Sequence, residues 1–242
     1  MTIEEFQVKF MHIKNQGWVP SRRKGPTGVG HTLEQLLGLS ENNIASPDLG
    51  EIELKARRLG GSSMVTLFTF NRKVWKMPPL VAIRQYGTFD KDGRQGIYFT
   101  MSQTPNSSGL FLDIEEEAIS VRHIDGTLIA TWQLADLAER FMKKLPALLL
   151  VSASSEMRGE TEWFRYERAQ LLAGTSLEII RSQLRIGHIR VDLRLHDKGT
   201  SARNHGTGFR TFEEELSELF AIVQDIETVR SEEIAEEVKR LL

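Results

Sequence analysis

The chain has 242 residues, of which 40% are hydrophobic and 26% charged, a balance typical of a soluble globular protein with one large or two small domains. It contains no cysteine, which excludes a disulfide framework and a thiolate metal site. No apolar run reaches the roughly 20 residues of a transmembrane helix, and MTIEEFQVKF lacks the apolar core of a signal peptide. We therefore expect a cytoplasmic protein with no membrane partner.

The net charge of −2 is distributed unevenly along the chain. Residues 211–242 carry ten acidic against three basic residues, which leaves 28 Lys and Arg against 23 Asp and Glu in residues 1–210. Seven of these basic residues fall within residues 181–210, where only Asp192 and Asp197 oppose them. This asymmetry is compatible with binding a polyanion on one face, although many soluble proteins show a similar one.

The N-terminal part of the chain is predicted to form helices followed by strands. Ile3, Phe6, Phe10 and Ile13 recur at helical spacing and predict a helix over residues 1–16. After a Gly- and Pro-rich segment, HTLEQLLGLS predicts a second helix that ends at Gly38 or shortly after it. Strands are predicted in EIELKARR, SMVTLFTF, VAIRQYG and GIYFTMS, and a loop over residues 103–109.

The C-terminal part continues this alternation. LFLDIEEEAISVRHIDGTLIATW predicts a strand, a hairpin turn at Asp125-Gly126 and a strand. A helix in QLADLAERFMKKL and a buried strand in ALLLVSAS precede a helix in TSLEIIRSQLRIG, with Thr175 as its N-cap. After a Gly-rich loop, KGTSARNHGTGFR, an acidic C-terminal helix is predicted. The class is mixed α/β, with one compact domain over residues 1–242.

The segment HIRVDLRLHD alternates strictly between apolar and polar residues. Strand geometry then places the polar side chains on one face, since successive side chains point to opposite sides. This face carries Arg190, Asp192, Arg194 and His196.

The segment PDLGEIELK places carboxylates and a lysine close together. Glu53 and Lys55 are two residues apart on a strand, so they share a face, while Asp48 joins them only if the chain bends or bulges at Gly50. Two convergent carboxylates can hold Mg²⁺ against a phosphate, and a neighbouring lysine can orient the attacking water. By spacing alone, an ordinary solvent-exposed polar strand remains the alternative.

Three blocks together resemble the MvaI/BcnI type of restriction endonuclease and, more distantly, the mismatch-repair nicking enzyme MutH. They are KGPTGVGHTLEQLLGLSENNIASPDLGEIELKARR (24–58), VTLFTF (65–70) and IRVDLRLHDKGTSARNHGTGFR (189–210). The resemblance implies a restriction-endonuclease-like α/β core, with a mixed central β-sheet flanked by helices and two lobes around a DNA cleft. It places a catalytic lobe over roughly residues 1–100 and a recognition lobe over roughly residues 101–242.

The family's catalytic motif falls on Asp48, Glu53 and Lys55, which implies that Asp48 and Glu53 bind the metal. Its helix glutamate falls on Glu34, whose apolar neighbours indicate partial shielding; a solvated helix glutamate is the alternative. His31 stands where the MvaI-like branch has a basic residue. A phosphate contact at the helix N-terminus and a purely structural role both fit His31.

The third block implies base recognition by Asp192, Arg194 and Arg210. Arginine pairs with guanine O6 and N7 and aspartate accepts from cytosine N4, which favours a G·C-rich target; a surface Asp192–Arg194 ion pair is the alternative. VDLR, HGTGFR and Thr69 match the MvaI-like pattern and favour CCWGG over CCSGG. The family's His-Asp pair before the loop glycine is Asn-His here, which leaves the role of His205 open.

Basic residues near these blocks are candidates for phosphate contacts, which position a protein on DNA without reading its sequence. They are Arg22, Arg23, Lys24, Arg57, Arg58, Arg72 and Lys73. Taken singly, each of them is explained better as a solvated surface charge than as a DNA contact.

The resemblance implies a Mg²⁺-dependent type II restriction endonuclease that nicks double-stranded DNA one strand at a time. It would act as a monomer, with a cognate DNA methyltransferase as its genetic partner. Three alternatives stay open at this point. They are a MutH-like nicking enzyme that depends on a mismatch-repair partner, a sequence-specific DNA-binding protein without catalysis, and an α/β protein with a coincidental motif.

Overall fold

The computed structural model describes residues 1–39 and 52–228. The chain divides into two compact units built from alternating segments. Unit 1 comprises Met1–Ser62, Leu145–Gly174 and Phe220–Leu242, and unit 2 comprises Ser63–Lys144 and Thr175–Leu219. Residue 100, the expected lobe boundary, lies within a strand of unit 2, and the assignment of catalysis and recognition to separate lobes stays a prediction. No helix in the described ranges is long and apolar enough to cross a membrane.

The elements follow one another in chain order through both units. As far as the middle of the chain they are α1 (Ile3–Asn15), β1 (Trp18–Pro20), α2 (Gly28–Leu37), β2 (Ile52–Arg58), β3 (Met64–Thr69), α3 (Pro79–Tyr86), β4 (Thr88–Phe89), β5 (Gln95–Met101), β6 (Leu110–Ile114), β7 (Ala118–His123) and β8 (Leu128–Gln133). They continue with α4 (Leu134–Lys144), β9 (Ala147–Arg158), β10 (Thr161–Ala173), α5 (Leu177–Arg185), β11 (Arg190–Asp197), β12 (Ala202–Asn204), β13 (Gly208–Phe212), a 3₁₀ helix (Glu213–Leu219) and β14 (Ile222–Asp225).

Unit 1 contains a mixed sheet with the strand order β1-β10-β9-β2, and β14 also pairs with β10. β2 runs parallel to β9, whereas the other pairs are antiparallel. The apolar faces of α1 and α2, including Phe6, Phe10 and Leu33, share one core with Leu54 and Leu149 of the sheet. Thr2 and Glu5 form a capping box that fixes the start of α1. The expected mixed sheet with flanking helices is thus confirmed.

Unit 2 contains an antiparallel sheet of six strands in the order β3-β13-β11-β5-β4, with β12 paired to β11. A separate three-stranded sheet has the order β6-β7-β8. Buried aromatic rings lie behind the larger sheet, where Phe68 stacks on Phe209 with ring centroids 4.8 Å apart. The turn at Asp125-Gly126 joins β7 to β8 as predicted.

Two local predictions are wrong. VAIRQYG is part of helix α3, not a strand. Pro79 fits the first turn of a helix, where no N–H donor is needed, and Ala82, Ile83 and Tyr86 then fall on one buried face. The N-cap of α5 is Ser176, not Thr175, because the Ser176 hydroxyl accepts a hydrogen bond from the backbone N–H of residue 179.

The prediction of an acidic C-terminal helix is also wrong for the part of it that the structure describes, residues 211–228. Glu213–Leu219 is a 3₁₀ helix, and the chain then returns to unit 1 as strand β14. The last part of that prediction, residues 229–242, lies outside the described residues. The backbone N–H and C=O groups of β14 are instead paired with β10 of the sheet.

Candidate functional site

Strand β2 carries the predicted carboxylate and lysine on one face. Ile52 and Leu54 are buried in the core of unit 1, whereas the alternate side chains of Glu53 and Lys55 are 39% and 32% exposed. Lys55 Nζ donates a hydrogen bond to Glu53 Oε1 over 3.1 Å. The alternation of β2 therefore holds an anion and a cation side by side at a half-exposed position.

Two buried leucines of β9 lie beside this pair. Because β2 and β9 are parallel and in register, Glu53 lies beside Leu148 and Lys55 beside Leu150, and both leucines are buried. One step further, Arg57 Nε donates to the Ser152 hydroxyl over 2.9 Å. Charges beside apolar surface interact more strongly than charges in bulk water.

Asp48, the other predicted metal ligand, lies outside the described residues, so its convergence with Glu53 stays a prediction. Among residues 1–39 and 52–228, no group of three or more His, Asp or Glu side chains could hold a metal ion. The Glu53 carboxylate is a hard oxygen donor of the kind Mg²⁺ prefers. One described carboxylate therefore fits a metal site that needs ligands from elsewhere.

Helix α2 brings Glu34 to the same unit. The helix packs against β2 through a buried face that includes Leu33 and Leu37, and Glu34 is partly exposed beside them. This partial shielding agrees with the environment expected for Glu34, although its catalytic role stays a prediction. The side chain of Thr27, the N-cap residue of α2, makes no capping hydrogen bond within the described residues.

Tyr166 on β10 fixes the first turn of α2, and sequence reasoning missed it. Its buried hydroxyl donates to the backbone carbonyl of Val29 over 2.7 Å. Burial raises the pKa of Tyr166 above its usual range, and Glu34 adds to this rise while Arg58 and Arg22 oppose it. The phenol therefore remains a neutral donor. The one sequence signal is the alternation of Phe164 and Tyr166 with the charged Arg165 and Glu167, which indicates a buried face but not the hydrogen-bond partner.

The basic triplet Arg22, Arg23 and Lys24 is exposed in the loop between β1 and α2. Arg22 Nη1 donates to Gln35 Oε1 over 3.1 Å, and Gln35 Nε2 lies 3.0 Å from His31 Nε2. These contacts connect the basic loop to the exposed side of α2. The structure therefore places His31 and Arg22 in one polar group.

Arg58 braces this loop. Its guanidinium contacts both carboxylate oxygens of Glu162, at 2.7 and 2.8 Å, and donates to the Pro26 carbonyl over 2.7 Å. The Arg58 guanidinium carbon also lies 5.2 Å from the centroid of the Phe164 ring. A bidentate pair of this kind fixes direction as well as charge, so Arg58 is placed to hold the loop in position.

The predicted recognition residues meet in unit 2 around one buried carboxylate. Asp192 Oδ2 accepts hydrogen bonds from Arg194 Nε at 2.8 Å and Arg210 Nη1 at 3.1 Å, and Asp192 Oδ1 accepts from the Thr100 hydroxyl at 3.3 Å. Arg210 Nη2 also donates to the Met64 carbonyl. The side chains of Asp192, Arg194 and Arg210 are 6%, 50% and 24% exposed. Asp192, Arg194, Arg210 and Tyr98 form a surface that we call the polar face.

Two histidines border the polar face. His196 Nδ1 lies 2.9 Å from the Tyr98 hydroxyl and 3.2 Å from Nε2 of the exposed His205. Burial lowers the pKa of His196, and the neighbouring His205 and basic residues lower it further. The pattern HIRVDLRLHD thus located His196 on the correct face, but its contact with Tyr98 depends on strand pairing.

Lys73 lies in the loop after β3, where it is exposed and has a φ of 57°. A lysine in this left-handed region is uncommon and marks a constrained loop. Of the predicted site residues in the described ranges, unit 1 contains those assigned to catalysis and most of the predicted phosphate contacts. Unit 2 contains Asp192, Arg194, Arg210, His205, Arg72 and Lys73.

Comparisons with known proteins define the class. The family model described as the MvaI/BcnI restriction endonuclease family matches residues 7–220. The chain is similar to the solved complex of restriction endonuclease MvaI with its cognate DNA substrate, with a TM-score of 0.68 and 26% identity over 93% of this chain and 98% of that one. For MvaI in the absence of DNA, the TM-score is 0.60 and the identity 26%, over 92% and 96% of the two chains. No curated protein sequence matches the chain.

Fold and sequence match together define a restriction endonuclease, a hydrolase that acts on DNA. The chain belongs to the MvaI/BcnI restriction endonuclease family. The resemblance found in residues 24–58, 65–70 and 189–210 is thereby confirmed.

Proposed function

We propose that this chain is a Mg²⁺-dependent type II restriction endonuclease that cuts double-stranded DNA at a short, pseudopalindromic, CCWGG-like site. It acts in the cytoplasm as a monomer, nicks one strand at a time, and is paired genetically with a DNA methyltransferase that protects host sites. The observation that carries the proposal is the Glu53–Lys55 pair, half exposed on the mixed sheet of a chain that belongs to this family.

Lys55 is the residue best placed to handle the attacking water. Its ammonium group is held by Glu53 at 3.1 Å but keeps two further N–H donors for the water and for a phosphate oxygen. Donors already in position where negative charge develops lower the barrier without reorganisation during the reaction. Orienting the water and offsetting charge on the phosphate are therefore the proposed tasks of Lys55.

Glu53 and Asp48 would hold the Mg²⁺ ion, which supplies Lewis-acid polarisation of the phosphate and lowers the pKa of water. Glu34, half shielded on α2, assists from the helix side. Tyr166 and Arg58 hold α2 and the basic loop in place, so their effect on cleavage is through positioning.

Recognition is assigned to the polar face. Arg194 and Arg210 present guanidinium groups that can pair with guanine O6 and N7 in the major groove. Asp192 accepts three hydrogen bonds from within unit 2, and an ionised carboxylate has about four acceptor positions. It can therefore orient both arginines and still accept one bond from cytosine N4.

Digestion of a supercoiled plasmid with and without Mg²⁺, followed by mapping of the ends, tests the proposal. Discrete fragments that end at a CCWGG-like site are expected, with nicked circles appearing before linear molecules. Glu53→Gln should abolish cutting, whereas Glu160→Gln, an exposed glutamate between β9 and β10, should cut like the wild type.

Other outcomes of the same digest separate the alternatives. Cutting that appears only after addition of mismatch-repair proteins would identify a MutH-like enzyme. Tight specific binding with no cutting under any divalent metal would identify a DNA-binding protein without catalysis. Linear product without a nicked intermediate would contradict strand-by-strand cleavage.

A further inference from the structure

The loop after β3 and helix α4 enclose a basic pocket in unit 2. This cavity of 460 Å³ is lined by four cationic side chains and by a single carboxylate. We call it the basic pocket, and its charged and aromatic lining residues are Arg72, Lys73, Lys76, Arg140, Asp136 and Phe70. An adjoining cavity of 350 Å³ adds one charge of each sign, Glu139 and Lys143.

The four cations of the basic pocket have no acidic partner in the described ranges. Elsewhere in unit 2, arginines such as Arg84, Arg122 and Arg190 are paired with carboxylates at 2.7–2.8 Å. Arg140, in contrast, lies over the ring of Phe70, with its guanidinium carbon 3.8 Å from the ring centroid. The pocket therefore keeps a net positive charge that an anion can neutralise.

Two hydrogen bonds to the backbone of Phe70 fix one wall of the pocket. The Phe70 N–H donates to the Thr207 carbonyl at 3.0 Å, and the Phe70 carbonyl accepts from Trp132 Nε1 at 2.8 Å. Lys73 is held in a left-handed conformation, an arrangement that persists only where the surrounding structure fixes it. The guanidinium group of Arg140 lies over the Phe70 ring, where a nucleotide base would otherwise stack. The pocket therefore offers a guanidinium donor and not an aromatic face, which favours a phosphate as the ligand.

The pocket begins at Phe70, the residue after Thr69 of β3, and strand pairing connects Thr69 to the polar face. Thr69 is paired with Gly208, and Gly208 is paired with Asp192. Two steps between strands amount to about 10 Å, whereas the major groove is about 12 Å wide. A duplex whose base edges meet the polar face therefore has bordering phosphates near Thr69, and the loop that lines the pocket continues from Thr69 at the edge of the sheet.

We propose that the basic pocket binds a backbone phosphodiester of duplex DNA at the edge of the groove contacted by the polar face. The inference rests on the proposed function. It places the candidate contacts Arg72 and Lys73 in one pocket and adds Lys76 and Arg140 to the DNA-binding surface. Lysine and arginine side chains are the usual donors to phosphate oxygens. Such a contact contributes affinity for every sequence and none of the discrimination between sequences.

Salt dependence of binding measures this contact. Affinity is determined by fluorescence anisotropy for a short duplex with the CCWGG site and for one with a scrambled site, in Ca²⁺, between about 50 and 200 mM NaCl. Lys73→Asn removes the charge with a residue that tolerates the left-handed backbone, and Arg140→Gln removes the stacked guanidinium. Lys91→Gln, an exposed lysine between Asp90 and Asp92, is the control.

We expect both pocket variants to weaken binding of the two duplexes by the same factor, on the order of tenfold. The slope of log affinity against log salt should fall by about 0.9 for each phosphate that the variant no longer neutralises. Arg140→Lys should keep the slope, and Lys91→Gln should match the wild type in both quantities. Thermal unfolding of each variant shows whether it is folded.

Several results would overturn the proposal. An unchanged slope in folded pocket variants would remove the pocket from the DNA interface, and weaker binding confined to the CCWGG duplex would make it a sequence-reading site. Titration with inorganic phosphate separates the two sources of the ligand: pocket-dependent phosphate binding with an unchanged DNA slope would mean that a free phosphate is bound instead. Wild-type protein that binds neither duplex would contradict the proposed function itself, together with the pocket.

Discussion

The Glu53–Lys55 pair of unit 1 and the polar face of unit 2 satisfy their polar atoms in different ways. Glu53 and Lys55 share one hydrogen bond and are both more than 30% exposed, so most of their hydrogen-bonding capacity is available to a ligand. Asp192 is 6% exposed and accepts from side chains on three strands, β11, β13 and β5. The hydrogen-bonding groups of Glu53 and Lys55 are thus open to a ligand, whereas the carboxylate of Asp192 is already bonded within unit 2.

This difference matches the proposed tasks of the two regions. A catalytic group must change its partners during the reaction, as water and phosphate arrive and leave. A base-recognition group gains specificity when its geometry is fixed in advance, because each long side chain that is ordered only on binding costs about 0.5–1.5 kcal/mol. The locked arginines of unit 2 avoid much of this cost.

The largest expected effect comes from Lys55→Met, which keeps the length of the side chain and removes its charge. We expect the single-turnover cleavage rate to fall on the order of 10³-fold, since an oriented donor to the transition state is removed. Duplex affinity measured in Ca²⁺ should stay within about twofold of the wild type, because recognition is assigned to unit 2. A parallel fall in rate and affinity would erase the proposed division between the two regions.

Asp192→Asn tests whether the polar face is held together by its buried carboxylate. The substitution removes the charge that attracts Arg194 and Arg210, and the discrimination between cognate and scrambled duplex should fall about 10- to 100-fold, the value of one to two well-formed base contacts. Binding of the scrambled duplex should change little. Asp197→Asn on the same strand, where the carboxylate pairs with Arg84, is the matched control and should keep full discrimination.

Tyr166→Phe tests the hydrogen bond between the Tyr166 hydroxyl and the first turn of α2. Removing the buried hydrogen bond to the Val29 carbonyl should lower the free energy of unfolding by about 1–2 kcal/mol, as measured by urea denaturation. Tyr86→Phe in unit 2 is the contrasting variant, since the buried Tyr86 hydroxyl has no hydrogen-bond partner within the described residues. It should be neutral or slightly stabilising; equal destabilisation in both variants would mean that the hydrogen bond to Val29 contributes nothing of its own.

The smallest expected effect is a pH dependence from His196. Burial and the nearby His205 lower its pKa in the folded protein, so the unfolded chain takes up the proton first. The stability contribution of neutral His196 is present above pH of about 6.5 and is lost as the pH falls through the lower folded pKa. The difference in unfolding free energy between wild type and His196→Gln should therefore shrink on acidification; a constant difference from pH 7.5 to about 5.5 would contradict this.

Local periodicity was sufficient for much of the fold. The apolar spacing of α1 and α4 and the alternation in β2 and β11 were predicted correctly, because each pattern lies within one element and repeats over its full length. VAIRQYG was misassigned because a short segment that contains Val, Ile and Tyr fits a strand as well as a helix. The preceding prolines and the burial of Ala82 and Ile83 make it α3.

In the candidate site, too, local patterns predicted single elements but not the contacts between distant ones. Sequence by itself determined which residue types lie on each face: Glu53 with Lys55 on β2, and Asp192 with Arg194 on β11. The tertiary structure alone decided that Asp192 is buried beneath Arg210 and Thr100, and that Arg58 reaches across 104 residues to Glu162. Those partners depend on strand register and chain crossover, which are fixed by packing between distant segments and leave no periodic trace in the sequence.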